Sequence, residues 1–297
     1  MLQVYLKPEF LALFYRLHEL GSVRATHLST SSNHQVIGRF RNLRNRSHLI
    51  MQFNPDIDVR LFSAKWRAVK LEKPNKSTAV LCFIDRFGES CYLVEPLEID
   101  AITRLDQWMS EWIADQGYSP QFKTKKAPAK LRRKVDQAVL RRDWLAMTNV
   151  HQASRLIKRY ANDSQAVYRH LGVDLARRLN SQCLAEFFEL LIKETYPLML
   201  FARNDSAVQC YTGCLNEMDR TEKGLYFQGV DFEGFINDGQ IDALWLVRKP
   251  TSLGWVYSLN LFDHLGQEAW IFTDNRLRSQ PENTDWLRLI QQAFDIN

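Results

Sequence analysis

The sequence predicts an α+β protein made of two tandem, structurally related units, each a large antiparallel β-sheet with flanking helices, and three observations carry that prediction. Residues 245–286 hold an alternating run, with Trp255, Tyr257, Leu259 and Leu261 on one face and the polar Ser258 and Asn260 on the other, followed by Asp263-His264-Leu265-Gly266. Alternation marks a strand covered on one side, and Asp followed by Gly is turn chemistry, so this stretch is a β-hairpin. A weaker copy lies at residues 79–93: Asp85, Gly88 and Trp108 stand where Asp263, Gly266 and Trp286 stand, each pair offset by 178 (263−85, 266−88, 286−108), and Trp66 corresponds to Trp245 after a one-residue slip. In both halves the β-like segments lie between helical ones, the pattern of an α+β unit.

Length and composition agree with this. The 297 residues suffice for two domains of ordinary size, and 45% apolar with 25% charged residues gives ample material for a core. The five cysteines (Cys82, Cys91, Cys183, Cys210, Cys214) are odd in number and form no CxxC pair, which points to neither a disulfide framework nor a structural zinc site. A formal charge of +5 permits an anionic partner without calling for nucleic acid. The apolar start is interrupted by Lys7 and Glu9, lacks a small-residue cleavage site and is too short to span a bilayer. No membrane insertion is expected, and the cytoplasm is the expected location.

Taken in order, residues 1–21 carry the apolar spacing of a helix (Phe10, Leu13, Phe14, Leu17, Leu20) ending at Gly21. Residues 22–60 turn β-like, with VRATHLS, HQVIGRF and HLIMQF separated by Ser- and Asn-rich turns, and DIDVRLF leads into Trp66 and the first hairpin. Residues 99–113 read as a helix with Leu105, Trp108, Met109 and Trp112 on one face. The proline-containing basic run FKTKKAPAKLRRKVDQAVLRR then divides the chain into units 1–120 and 143–297 joined by a linker at 121–142. Its plain reading is a solvated connector and helix start; no aromatic residue interleaves the charges to stack on bases. In the second unit, RDWLAMTNVHQASRLIKRY places Trp144, Met147, Val150, His151 and Ile157 near one helical face. Asp163 caps a helix that stops at Gly172, and Asn180 caps another that ends before Pro197. The β pattern returns in PLMLFAR, AVQCYTG, GLYFQGV and FEGFIN, and a helix at 284–294 closes the chain.

The common enzyme signatures, a Walker loop, GxGxxG, HExxH and GxSxG, are missing. Of the seven histidines, His151 has the best setting for a ligand. An imidazole on an apolar helical face near Met147 and Trp144 would present a neutral nitrogen in a low-dielectric wall, as a haem iron requires, although a lone helical histidine is more often a surface or core residue. The basic residues of the β segments, Arg60, Arg248, Lys249 and Arg276, read either as hairpin-edge charges or as partners for the carboxylates or phosphates of an anionic ligand.

Longer strings narrow the choice. WLVRKPTSLGWVYSLNLFDHLGQE and the later FTDNRLRSQPE resemble, in order, the VVRKPT strand, SLELFD strand and FFGxRxPGQPE segment of the cytoplasmic haemin-degrading and haem-trafficking proteins of bacterial haem uptake, the HemS/ChuS family. Upstream, SAVQCYTG is similar to VQIHTGP, WLAMTNVHQ to WxxMTDVHQ, DIDVRLFSAKW to DIDLRLFxxxW, and LGSVRATHLS to LGEVMALTR, so the resemblance runs from residue 20 to 289. It implies haem as ligand. His151, at the histidine of MTDVHQ, takes the role of proximal iron ligand. Arg60 stands at the arginine of DLRLF and faces the distal side, and Phe62 packs against the porphyrin. Lys249 and Arg276 match the lysine of RKPT and the arginine of FGxR, which contact the propionates. His34 matches a histidine implicated in some members and is, with Arg60, the catalytic candidate. The reaction implied is oxidative opening of the porphyrin ring with iron release, fed by an external electron donor because no flavin or nicotinamide motif is visible; the alternative is a haem carrier without turnover. An uptake transporter and a reductase are the implied protein partners.

The chain departs from the family pattern in places. It lacks the longer helical start that supplies another propionate arginine, and FEGFINDG replaces FNLHLRE. Gly213-Cys214 replaces GP, Thr273 replaces an aromatic residue, and SCYL around Cys91 replaces HKVY. Binding is therefore the firmer expectation and turnover the weaker one.

Overall fold

The computed structural model describes residues 2–124, 135–160, 163–277 and 279–296. In chain order the first half runs β1 (Leu2–Leu6), α1 (Phe10–Arg16), β2 (Ser22–Leu28), β3 (Ser32–Arg39), β4 (Arg44–Arg46), β5 (Leu49–Gln52), β6 (Asp58–Phe62), β7 (Trp66–Asn75), β8 (Thr78–Asp85), β9 (Ser90–Pro96) and α2 (Ile99–Trp112). The second half continues with α3 (Gln137–Leu145), α4 (Gln152–Tyr160), α5 (Ser164–Leu171), β10 (Ala176–Leu179), α6 (Leu184–Lys193), β11 (Leu198–Arg203), β12 (Ala207–Gly213), β13 (Leu215–Thr221), β14 (Gly224–Gly229), β15 (Phe232–Ile236), β16 (Ile241–Thr251), β17 (Gly254–Asp263), β18 (Glu268–Asp274) and α7 (Thr284–Phe294). Two large antiparallel sheets with helices around them make this an α+β fold, as expected. Two compact units form: Met1–Lys126 with Phe201–Tyr211 and Asp231–Ile236, and Ala127–Leu200 with Thr212–Val230 and Asn237–Asn297. Of the basic run expected as a linker, residues 125–134 lie outside the described residues.

The first unit contains the antiparallel series β1-β7-β8-β9-β2-β3-β15 and the series β12-β6-β5-β4. The helix expected over 1–21 is shorter than its apolar spacing suggested. Leu2–Leu6 forms an edge strand in register with β7 (Val4↔Leu71), and helical structure begins at Phe10, beyond Pro8, whose fixed φ and missing N–H suit a break. Gly21 ends the following 3-10 turn at φ +63, a conformation that favours glycine. Buried Phe14 stacks on Trp66 (4.9 Å) and lies 4.7 Å from Phe83, and burial of each such ring stabilises the fold by about 1.5–3 kcal/mol.

The second unit contains β10-β16-β17-β18 and the ribbon β13-β14. The single helix suggested by RDWLAMTNVHQASRLIKRY is two helices, α3 and α4, separated by a turn. Helices α3 to α5 cover one face of β16 and β17, where Trp144 and Tyr168 share a cluster with Ala243, Trp245, Val247 and Phe262. The other face meets α6 and α7: Phe188 lies 5.5 Å from Phe272, and Trp286 donates its indole N–H to the Tyr257 carbonyl. The expectation of a sheet covered on one side is therefore corrected. Ser258 and Asn260 are each 1% exposed, and they persist in the interior because hydrogen bonds satisfy them.

The internal repeat is visible in the strand registers. Trp66↔Asp85 followed by Ala68↔Ile84 is the same one-residue bulge as Ile241↔Asp263 followed by Ala243↔Phe262. Phe83↔Tyr92 followed by Ile84↔Ser90 recurs as Leu261↔Trp270 followed by Phe262↔Glu268. Asp85 and Asp263 each use Oδ1 to accept two amides of their own turn, closed by Gly88 and Gly266 at φ +89 and +75. One anchor changes: Trp66 is the ladder counterpart of Ile241, not of Trp245. The first strands of the two hairpins are offset by 175 (241−66, 243−68) and the second strands by 178 (263−85, 262−84), so the hairpin tips differ in length by three residues.

Candidate functional site

His151 sits at the entrance of α4, in a turn built by a reciprocal cap. Asn149 Oδ1 accepts the His151 amide at 2.9 Å, while Gln152 Oε1 accepts the amides of Thr148 (2.9 Å) and Asn149 (3.3 Å). This is the capping-box arrangement, in which Asn-x-x-Gln satisfies amides that the first helical turn leaves open. The consequence corrects the expected setting: the His151 side chain is exposed at the start of a helix and does not lie on its apolar face. The turn is also tied to the tip of the β16–β17 hairpin, since Ser252 donates to the Thr148 carbonyl at 3.0 Å and Trp144 Nε1 to that of Arg248 at 3.0 Å.

Lys249 lies four residues along β16 from buried Trp245, on the face shared with α3 to α5. Its ammonium donates to Ser258 Oγ at 2.7 Å, Ser258 donates to Asn260 Oδ1 at 2.7 Å, and Asn260 Nδ2 donates to Glu268 Oε1 at 2.6 Å. A buried polar ladder therefore runs from the cation to a carboxylate. Arg276 follows β18, is half-buried and donates to the Gln280 carbonyl at 3.2 Å. Glu282 belongs to the same neighbourhood: it accepts the Tyr257 amide at 2.7 Å, and burial pushes its pKa up to about 8 despite that hydrogen bond and the pull of Arg276 and Lys249, with Asp274 adding to the rise. The structure thus groups Lys249, Arg276 and Glu282 and ties the His151 turn to the Lys249 hairpin, all within the second unit.

In the first unit, Asp58, Arg60 and Phe62 alternate along β6 and share a face. Arg60 Nη1 lies 2.8 Å from Asp58 Oδ1 without hydrogen-bond alignment, and its guanidinium rests 4.8 Å over Phe53 and 5.9 Å from Phe201. Burial raises the Asp58 pKa against the lowering effect of Arg60. Phe62 is half-buried. His34 is elsewhere: it is fully buried, lies across the strand pair from His27, and its Nδ1 is 2.9 Å from Gln209 Nε2. Gln209 pairs with Val59 while Val208 pairs with Arg60, so the Gln209 and Arg60 side chains leave opposite faces, and the two catalytic candidates are not brought together. Burial drives the pKa of His34 well below its ordinary value and that of His27 to about 3.

Sequence reasoning missed Glu282, although it lies in the quoted SQPE string, and the Ser258-Asn260-Glu268 ladder. It also missed the cap around His151, whose Asn-x-x-Gln signature was present in MTNVHQ.

Duplicated hairpins on large antiparallel sheets, with an exposed imidazole whose capped turn is bonded to the hairpin that bears Lys249, define the class of this α+β protein. Comparison with known proteins shows what this class resembles. Residues 161–293 match the haemin-degrading HemS.ChuX domain. The chain is 26% identical over 294 residues to the hemin transport protein HmuS of Yersinia pestis, covering 98% of this chain and 85% of that protein. It is 27% identical over 285 residues to the hemin transport protein HemS of Yersinia enterocolitica, covering 95% and 83%. The apo and holo crystal structures of PhuS, a heme-binding protein from Pseudomonas aeruginosa, each superpose with a TM-score of 0.90 at 26% identity over 99% of this chain and 87% of that one. Residues 161–293 therefore match a haemin-degrading domain model, and over nearly its whole length the chain is similar in sequence to hemin transport proteins and in fold to a heme-binding protein. Among the described residues, no helix is long and apolar enough to cross a membrane.

Proposed function

We propose that this protein binds haem, as substrate or cargo, with His151 as axial ligand to the iron and Lys249 and Arg276 neutralising the propionates. The observation that carries this reading is the capped turn: an exposed imidazole held at the start of α4 and joined through Thr148 and Ser252 to the hairpin that bears Lys249. The donor set fits the group. Iron takes an imidazole nitrogen, carboxylates take an ammonium and a guanidinium, and the exposed Leu145 and Leu253 beside the turn and the hairpin tip offer apolar surface to a porphyrin. Arg60 and Phe62 are assigned to the distal side on their motif match; Asp58 and Phe53 supply the means of holding that guanidinium in one orientation. His34, a buried neutral imidazole beneath Gln209, is given a structural role and no catalytic one.

The reaction we assign is oxidative opening of the porphyrin ring with release of iron, in keeping with the haemin-degrading description of the domain that residues 161–293 match. Haem supplies the redox chemistry, the protein supplies orientation and a dry wall, and electrons come from an external reductase or small reductant. A carrier reading is favoured by the names of HmuS and HemS, both hemin transport proteins; under it the chain receives haem from an uptake transporter in the cytoplasm and passes it on. The test is the Soret band of the haemin-loaded protein in air with ascorbate and catalase. Decay of the band with release of chelatable iron supports the enzyme, a stable spectrum leaves the carrier, and no Soret change when haemin is first added refutes both.

A further inference from the structure

The face of β16 and β17 opposite Lys249 holds a second group of cations. Arg177 pairs with Leu246 and Arg248 with Tyr257, so all four side chains leave the same face of the sheet, with the two arginines as diagonal cross-strand neighbours. Together with Leu175 and Leu287 they line a groove of about 240 Å³. The Arg248 guanidinium lies over Trp255, 3.8 Å from the ring centroid, and 5.8 Å from Tyr257, which fixes its plane. Its Nε is buried and makes no hydrogen bond. Neither arginine has a carboxylate within ion-pair distance among the described residues; Asp174, which also lines the groove, is held by both terminal nitrogens of Arg141 at 2.8 Å. Asp174 also feels the charge of Arg248, but both of its oxygens are taken by Arg141, so two cations on one face, one with a desolvated Nε, suit a further anion.

We propose that this groove is a binding site for a small organic carboxylate, with the carboxylate in the fork of Arg248 beside Arg177 and the apolar body against Leu246 and Leu287. The planar fork matches a carboxylate, and the leucine walls favour an organic acid over a free inorganic anion. The volume is below the roughly 300–1,000 Å³ of sites for drug-sized ligands, so the occupant is a short acid and not a porphyrin. The site lies on the face opposite Lys249 and stands independently of the haem assignment.

Calorimetric titration of the full-length protein with octanoate, octanol and inorganic phosphate tests this. The expected result is saturable one-site binding of octanoate, no binding of octanol, and no displacement of octanoate by phosphate at tenfold excess. Arg248→Lys, which keeps the charge and loses the fork, weakens octanoate at least tenfold, and Arg177→Gln weakens it about threefold. Absence of saturable octanoate binding, displacement by phosphate at equal concentration, or undiminished binding to Arg248→Lys overturns the proposal. A Soret titration of the same variants with haemin reads the haem site separately, so failure of one assignment is distinguishable from failure of the other.

Discussion

Replacing Glu282 by Gln isolates the electrostatics around Lys249 and Arg276. In the fold, burial lifts the Glu282 carboxyl to a pKa of about 8, from an ordinary 4.5. An acid whose folded pKa lies above its unfolded value keeps a proton that the unfolded chain has already released. Stability is therefore full below about pH 4.5 and is lost as the pH climbs towards 8. At about 1.36 kcal/mol per pH unit the gap between these values caps the loss near 5 kcal/mol, and the partial contact of the side chain with solvent reduces it to about 2–3 kcal/mol. Gln retains an oxygen for the Tyr257 amide and carries no charge at any pH. Urea unfolding should accordingly find Glu282→Gln equal to wild type near pH 5 and more stable by about 2 kcal/mol at pH 9. A stability difference that is the same at both pH values would show that the carboxyl does not titrate in this window, and the electrostatic reasoning would fail.

Three further outcomes are expected. His151→Ala should weaken haemin binding and move the Soret maximum, whereas Lys249→Ala should lower affinity about tenfold with the maximum unchanged; an unaltered spectrum in His151→Ala would remove the ligand assignment. His27, fully buried so that desolvation pushes its pKa to about 3, must stay neutral in the fold, so stability is lost as the pH falls from 6.5 towards 3. His27→Leu should shift the acid unfolding midpoint to lower pH, and an identical midpoint would contradict this. Gln209→Leu strands the buried Tyr92 hydroxyl, which donates to Gln209 Oε1 at 2.6 Å, and the Ala25 and His34 carbonyls, which accept from its amide; it should cost about 2–4 kcal/mol in urea unfolding, and a loss below 0.5 kcal/mol would deny the network its role.

Much of the local structure was legible because its causes are local. The closing helix begins after Asn283, whose side chain accepts the Asp285 amide, and α5 follows Asp163, which accepts two amides, so both starts follow from cap chemistry visible in the sequence. What remained hidden depends on distant partners. The edge strands β10 and β13 carry mostly exposed residues with little alternation to reveal them. The inclusion of β15 and most of β12 in the first unit is set by pairing with β3 and β6, far away along the chain. Ser258 and Asn260 looked like a solvent face because alternation cannot show that helices cover both sides. His151 was placed on a helical face because the apolar spacing on either side of it is continuous, and the Asn149-Gln152 cap that breaks the helix there competes with that spacing. His34 carried no signal of burial, which arises from Gln209 and Phe232 packing on it from segments about two hundred residues away.

The unequal hairpin tips bear on how one ancestral unit became two. Between the matched pairs Glu72↔Val80 and Val247↔Ser258 the first ribbon has seven residues (73–79) and the second ten (248–257). The shared bulges lie where a slip of one residue would turn every later side chain to the wrong face, so both copies have kept them through the divergence of everything around them. The tip escapes that constraint, because length added there shifts nothing downstream. The longer tip is the one that carries Arg248, Lys249 and Trp255. The shorter tip carries Lys73, held by Asp106, and Lys76, so both ribbons are basic, and what the three added residues accompany is an aromatic ring beside the charge, Trp255 under Arg248.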